Sequence, residues 1–220
     1  MDAPTTRDPA CSFLVPDPSA TDSGLALAYD LPMESEHAPP AGLISSQPIY
    51  KGRVVDLSLD RVVLPNGNET DLEMIRHPGA AVVLPIETGE DGVDYALLVR
   101  QYRYAADGWL LEVPGGKLDG PEDPEVCARR ELEEEIGHEA GELIALGSIL
   151  TTPGFTDERI WLYLGRELKP TRGGPALEDD EVLEVERVLL SEAVSRAIDG
   201  DIIDAKTVAA LLRAAAMLGI

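Results

Sequence analysis

Two short runs of unbroken apolar residues stand out in the middle of the chain, at 80–86 and 95–99. Runs of this length without alternation suit strands buried on both faces. The Gly/Asp/Glu-rich stretch 87–94 between them reads as their connecting loop. Upstream, Val54, Val55, Leu57 and Leu59, then Val62, Val63 and Leu64, are interleaved with polar residues, and Pro65-Asn66-Gly67 supplies a turn. That region predicts antiparallel strands. Downstream, Ala128, Leu132 and Ile136 recur at i, i+4 and i+8, the period of one helix face. Glu122, Asp123 and Pro124 mark the start of this helix and Gly137 its end. Segments 144–150, 160–164 and 182–190 predict further strands, and 191–198 and 205–218 predict helices, the last begun by Asp204 as N-cap. Strands and helices mix without regular βαβ alternation, which predicts an α+β fold with helices on a mixed sheet.

The first 42 residues behave differently: Pro4, Pro9, Pro16, Pro18, Pro32, Pro39 and Pro40 punctuate them, denying the backbone regular hydrogen bonding. Residues 1–42 are expected to be a loosely ordered arm. The 220-residue length leaves room for one principal domain after it. A net charge of -23 works against binding nucleic acid phosphates or an anionic membrane, so neither partner is expected. The same excess of carboxylates suits hard divalent cations and, with only four lysines in the chain, adaptation to high salt. Two cysteines, Cys11 and Cys127, make neither a disulfide framework nor a zinc site. The first thirty residues hold no apolar run long enough for a signal peptide, and no segment approaches a membrane span, so a cytoplasmic location is expected.

Within the helix, Glu131, Glu134 and Glu135 stand at i, i+3 and i+4, which puts three carboxylates on one face within a turn. Their repulsion is relieved if a hard cation such as Mg²⁺ sits among them with substrate phosphate oxygens. Just before the helix, Gly115 and Gly116 leave a backbone carbonyl unshielded for close approach to a metal. Gly116, five residues, Glu122, seven residues, and then Arg130-Glu131-Leu132-Glu133-Glu134-Glu135-Ile136-Gly137 resemble the signature of the Nudix hydrolases. The one departure is His138, where that family has an aliphatic residue packed beneath the helix. The resemblance implies that Glu131 and Glu135 are the principal Mg²⁺ ligands, with Mn²⁺ able to stand in. Glu134 would be a further ligand and catalytic carboxylate, and the Gly115 carbonyl would complete the set. Arg130 would orient the glutamates and Glu122 would pair with it as support.

Substrate choice lies outside this motif. Thr152-Pro153-Gly154-Phe155-Thr156-Asp157-Glu158 resembles a segment of the ADP-ribose pyrophosphatases, with Pro153 sixteen residues after Gly137. Glu178-Asp179-Asp180-Glu181-Val182-Leu183-Glu184-Val185 resembles the loop in which that subfamily places its general base; by position this is Glu181, with Glu178 as the second candidate. Gln101-Tyr102-Arg103 also resembles the subfamily, which makes Arg103 a donor to a diphosphate oxygen, with Pro153 and Glu112 beside it as substrate-binding residues. Neither Trp109 nor Trp161 identifies a platform for the base. Cys127 reads as a packing residue, and His77 and His138, lacking a second histidine at ligand spacing, read as neither metal ligands nor bases. The resemblance thus implies an α/β/α Nudix sandwich at 79–220, preceded at 43–78 by a strand-rich segment through which such proteins form homodimers. The implied reaction is hydrolysis of ADP-ribose to AMP and ribose 5-phosphate. The rivals are a pyrophosphatase for GDP-mannose or another nucleoside diphosphosugar, and a non-catalytic ADP-ribose sensor.

Overall fold

The computed structural model describes residues 41–177 and 182–220, so nearly all of the expected arm and the loop holding Glu178 and Glu181 lie outside the described residues. The described chain opens with a three-stranded antiparallel sheet of β1 (Gly42–Lys51), β2 (Asp56–Val63) and β3 (Glu69–Arg76), in that order. Val54 and Val55 fall in the turn between β1 and β2, closed by Gly52 N–H on the Val55 carbonyl at 2.8 Å, so the strand starts later than the alternation suggests. Between β2 and β3 the Gly67 N–H bonds the Leu64 carbonyl at 2.8 Å, and Gly67 takes the positive φ (83°) that favours glycine.

The second sheet is built from β4 (Ala80–Thr88), β5 (Asp94–Arg103), β6 (Gly108–Glu112), β7 (Gly115–Lys117), β8 (His138–Leu150), β9 (Arg159–Pro170) and β10 (Leu183–Leu189). Its order is β10-β5-β4-β9-β8, with β6 added to β5 and β7 to β4. The β4–β9 pairing is parallel and the others antiparallel, so the sheet is mixed as expected. β4 and β5 pair only through residues 86–88 and 94–96 and then separate, β4 taking β7 as partner and β5 taking β6.

The unbroken apolar run of β4 is explained by layers on both faces. Ala81 and Val83 face α1 (Pro124–Ile136), packing with Cys127, Ala128, Leu132 and Ile136. Val82, Leu84 and Ile86 face α2 (Leu190–Asp199) and α3 (Ala205–Leu218), packing with Ala193, Ala210 and Leu211. This is the helix/sheet/helix sandwich expected. α1 is capped by Asp123, whose side chain accepts from Glu125 N–H, with Pro124 in its first turn, and it ends on Gly137 at φ 66°. His138, in place of an aliphatic residue, opens β8 at once, its ring Nδ1 2.7 Å from the Ile136 carbonyl. Among the described residues no helix is long and apolar enough to cross a membrane.

Candidate active site

Cys127, Glu131 and Glu135 form one i, i+4 line along α1, and all three are buried. The apolar residues that dock α1 on the sheet therefore fix the direction of the glutamates as well. Gly115 donates its N–H to Glu135 Oε2 at 3.0 Å. A Cβ on Gly116 would stand 2.4 Å from Glu131 Oε1, so only glycine leaves that carboxylate its place. The Cys127 thiol faces the Gly116 and Lys117 carbonyls at 3.6 and 3.4 Å, and burial, then the Glu131 charge, pushes its pKa up to about 12. The buried thiol packs in the core between α1 and the sheet, the place its sequence context suggests.

Arg130 ties this wall together. Its Nη1 donates to Glu131 Oε1 at 2.6 Å and to Glu134 Oε2 at 2.9 Å, and its Nε and Nη2 reach the two oxygens of Glu122, both at 3.1 Å. The Arg130 bond, then the Asp119 N–H, hold the Glu122 carboxyl down at about 2. Glu122 is thus paired with Arg130 through both of its oxygens.

Across a cavity of about 710 Å³ stands a second wall. Arg103 Nε and Nη2 each donate to a different oxygen of Glu112 at 2.8 Å, and Lys206 also donates to Glu112 and, at 2.9 Å, to Asp204. Glu112 is 1% exposed. Burial pushes its pKa up, but the bond from Arg103 and the charge of Lys206 outweigh that and leave it lowered. Arg103 is raised in return, chiefly by the Glu112 bond. Lys206 sits in the first turn of α3, which Asp204 caps by accepting from Thr207 N–H; the Thr207 hydroxyl in turn accepts from Val113 N–H at 2.8 Å and pins the helix to the end of β6. The cavity opens where β4 and β5 separate, with Val82 of β4 and Gln101 of β5 on its walls.

Glu131, Glu134, Glu135, Arg130, Gly115 and Arg103 are therefore brought together on one cavity. Glu112 lies behind Arg103 rather than on the wall. Pro153 is exposed and outside the cavity lining; its segment contributes Thr151 and Glu158 instead. Glu181 lies outside the described residues. The chain on either side of it is anchored near the cavity: Ala176, on the wall, donates its N–H to the Glu134 carbonyl at 2.8 Å, and the Val182 carbonyl accepts from Tyr102 N–H at 3.3 Å. Sequence reasoning missed Lys206, Thr151 and Glu158 as wall residues. Only Glu158 carried a signal, as the end of the 152–158 string.

Among the described residues no three His, Cys, Asp or Glu side chains close on a common point as a ready cation cage. Arg130 now takes part of the charge of Glu131 and Glu134. The donor set nevertheless fits a hard divalent ion, because it consists of carboxylate and backbone oxygens. Mg²⁺ keeps several waters and needs only one or two carboxylates plus substrate phosphates, so a closed cage is not required.

A sequence model of the NUDIX domain matches residues 75–211, and the chain belongs to that family. It is a Nudix hydrolase. Among its relatives, a methanol dehydrogenase activator of Bacillus methanolicus is 41% identical over 76% of this chain and 89% of its own length. An ADP-ribose pyrophosphatase of Bacillus subtilis is 38% identical over the same shares. A GDP-mannose pyrophosphatase of Klebsiella pneumoniae is 37% identical over 51% of this chain and 60% of its own. A solved structure described as an ADP compounds hydrolase superposes with a TM-score of 0.70 at 21% identity, covering 84% of this chain and 97% of that one, which establishes the shared fold.

Proposed function

We propose that this Nudix pyrophosphatase acts in the cytoplasm on ADP-ribose, giving AMP and ribose 5-phosphate, with Mg²⁺ as the working ion and Mn²⁺ as its substitute. The observation that carries the reading is one cavity with Glu131, Glu134 and Glu135 on one wall and Arg103 and Lys206 on the other. A diphosphate needs both: carboxylates to gather a cation and fixed cations to meet the remaining oxygens. The ion, held by Glu131, Glu134, Glu135 and the Gly115 carbonyl, would supply positive charge at the diphosphate and acidify a bound water. Arg130 keeps the glutamates in register from within α1. Arg103 donates to a diphosphate oxygen, and Glu112 serves substrate binding by holding the Arg103 fork in one orientation. Pro153 contributes through the turn that precedes Glu158. Glu181 takes the proton from the attacking water, with Glu178 as the alternative; the anchoring of Ala176 and Val182 beside the cavity supports either.

The identity to ADP-ribose pyrophosphatases over most of both chains supports ADP-ribose over GDP-mannose, whose pyrophosphatases match over a shorter span. We also propose that the protein is a homodimer paired through residues 43–78. Every residue of β1 is exposed, including Leu43, Ile44, Ile49 and Tyr50, a density of apolar groups that a second copy would cover. The direct test is product identification from ADP-ribose with Mg²⁺, with chelator, and in Glu135→Gln and Glu181→Gln. AMP and ribose 5-phosphate should appear with the untreated wild type and not with chelator, with both variants slower by at least about a hundredfold. Tight ADP-ribose binding without turnover would mean a sensor instead.

A further inference from the structure

The buried carboxylate of Glu112 is shared by two cations. Arg103 reaches both of its oxygens, whereas Lys206, in the first turn of α3, reaches only Oε2. The two cations are placed differently, the Arg103 side chain being 43% exposed and that of Lys206 14%. Two of the five N–H donors of the Arg103 guanidinium go to Glu112, which leaves an edge of it to offer to a phosphate in the cavity. Lys206 instead directs its ammonium at two carboxylates, Glu112 and Asp204.

The Lys206 contact belongs to a closed ring of bonds. Lys206 donates to Asp204 Oδ1 at 2.9 Å, and Asp204 Oδ2 accepts from the Thr207 hydroxyl at 2.6 Å. That hydroxyl accepts in turn from Val113 N–H at 2.8 Å. Val113 follows Glu112 in the chain, so the ring returns to the backbone that carries the carboxylate. Thr207 and Glu112 are both buried, which keeps water from competing for these bonds. A carboxylate pinned at one oxygen by a lysine held in this way is not free to turn about its terminal bond. The plane of the Glu112 carboxylate, and with it that of the Arg103 fork, is thus set by the start of α3. The second cation also matters for charge: a buried carboxylate with a single partner would keep that partner to itself, whereas Lys206 lets Arg103 share its charge with a diphosphate.

We propose that Lys206 is a positioning residue. Through Glu112 it sets the orientation in which Arg103 presents its free edge to the diphosphate, without touching the substrate itself. This rests on the pyrophosphatase reading of the same cavity. The test is a cycle of Lys206→Met and Glu112→Gln, singly and together, with Lys206→Arg as the conservative rescue. Kd is measured by calorimetry for the α,β-methylene analogue of ADP-ribose with Mg²⁺, and KM and kcat by product assay on ADP-ribose. The Nε–H resonance of Arg103 is followed by ¹⁵N NMR. Lys206→Met should raise Kd and KM about tenfold, the worth of one hydrogen bond to a charged group, with kcat changed less. It should also shift the resonance of Arg103, which it reaches through Glu112. In the Glu112→Gln background Lys206→Met should add nothing, and Lys206→Arg should recover most of the loss. An undiminished effect of Lys206→Met in that background would make Lys206 a direct substrate contact. A Lys206→Met protein that melts earlier but binds unchanged would leave it a purely structural role. Either result overturns the proposal, as does an unmoved Arg103 resonance. Should Lys206→Met not fold, Lys206→Gln takes its place in the cycle with the same expected outcomes. If wild type binds the analogue without cleaving ADP-ribose, the pyrophosphatase reading fails while the Kd cycle still decides this one. If it binds no nucleoside diphosphosugar, both fall.

Discussion

Arg130 faces four carboxylates at once, those of Asp119, Glu122, Glu131 and Glu134, and the pH response of the fold should show it. Glu122, held at about 2 against an ordinary 4.5, binds its proton later in the folded chain than in the unfolded one. Its contribution to stability is therefore complete above about pH 4.5 and is lost as the pH falls through about 2. Urea midpoints measured between these limits should fall steeply for wild type and less steeply for Glu122→Gln; equal slopes would remove Glu122 from the acid response. Glu112 makes a stronger demand, because it is buried beneath two cations. Glu112→Gln should cost roughly 3 kcal/mol, the usual cost of leaving a buried charge without its partner, and should weaken ADP-ribose binding as Arg103 loses its fork. At this scale the α1 glutamates were legible because their spacing is local. Lys206 was not: it meets Glu112 from 94 residues away, and nothing in an Ala/Lys/Thr helix start announces a cavity wall. His77 was read as isolated for the same reason, since the loop it touches lies 80 residues downstream.

The two glycines before α1 separate folding from chemistry. A Cβ on Gly115 would stand 2.3 Å from the Ala81 carbonyl, a backbone atom with no freedom to move, at a φ of 153°. Gly115→Ala should therefore lower the melting temperature. At Gly116 the obstacle is the end of the Glu131 side chain, which can swing aside. Gly116→Ala should fold with nearly wild-type stability but bind Mg²⁺ and turn over substrate much more weakly; unchanged activity would detach the Glu131 position from catalysis. The element pattern shows why some segments were readable. α1 and α3 carry caps and periodic apolar faces, and their bounds were found closely. β7 is three residues of Gly-Gly-Lys with no pattern of its own, and exists because β4 offers it a free edge. β8 and β9 extend beyond their apolar cores because each pairs with the other over nearly its whole length, polar ends included.

Over the whole molecule, a net charge of -23 means that most carboxylates repel one another unless screened. Unfolding midpoints should rise with KCl over the range in which the Debye length shrinks from about 10 to 3 Å, whereas a flat profile would argue against adaptation to salt. Light scattering should give twice the chain mass, and charges placed at Ile44 and Ile49 should return a monomer. Helices on a mixed sheet were legible from the apolar runs and the capped helices, and the three-layer sandwich from the resemblance to the family, but the separation of β4 from β5 that opens the cavity was not, since it depends on which edge each later strand joins. The measurement that tests the central claim most directly is kcat/KM with Mg²⁺ for ADP-ribose against GDP-mannose, NADH and diadenosine polyphosphates, in wild type and Glu135→Gln. The expected result is a preference for ADP-ribose of at least about tenfold in wild type, with turnover of every substrate lost in Glu135→Gln. A higher kcat/KM for another nucleotide, or undiminished turnover in Glu135→Gln, would contradict it.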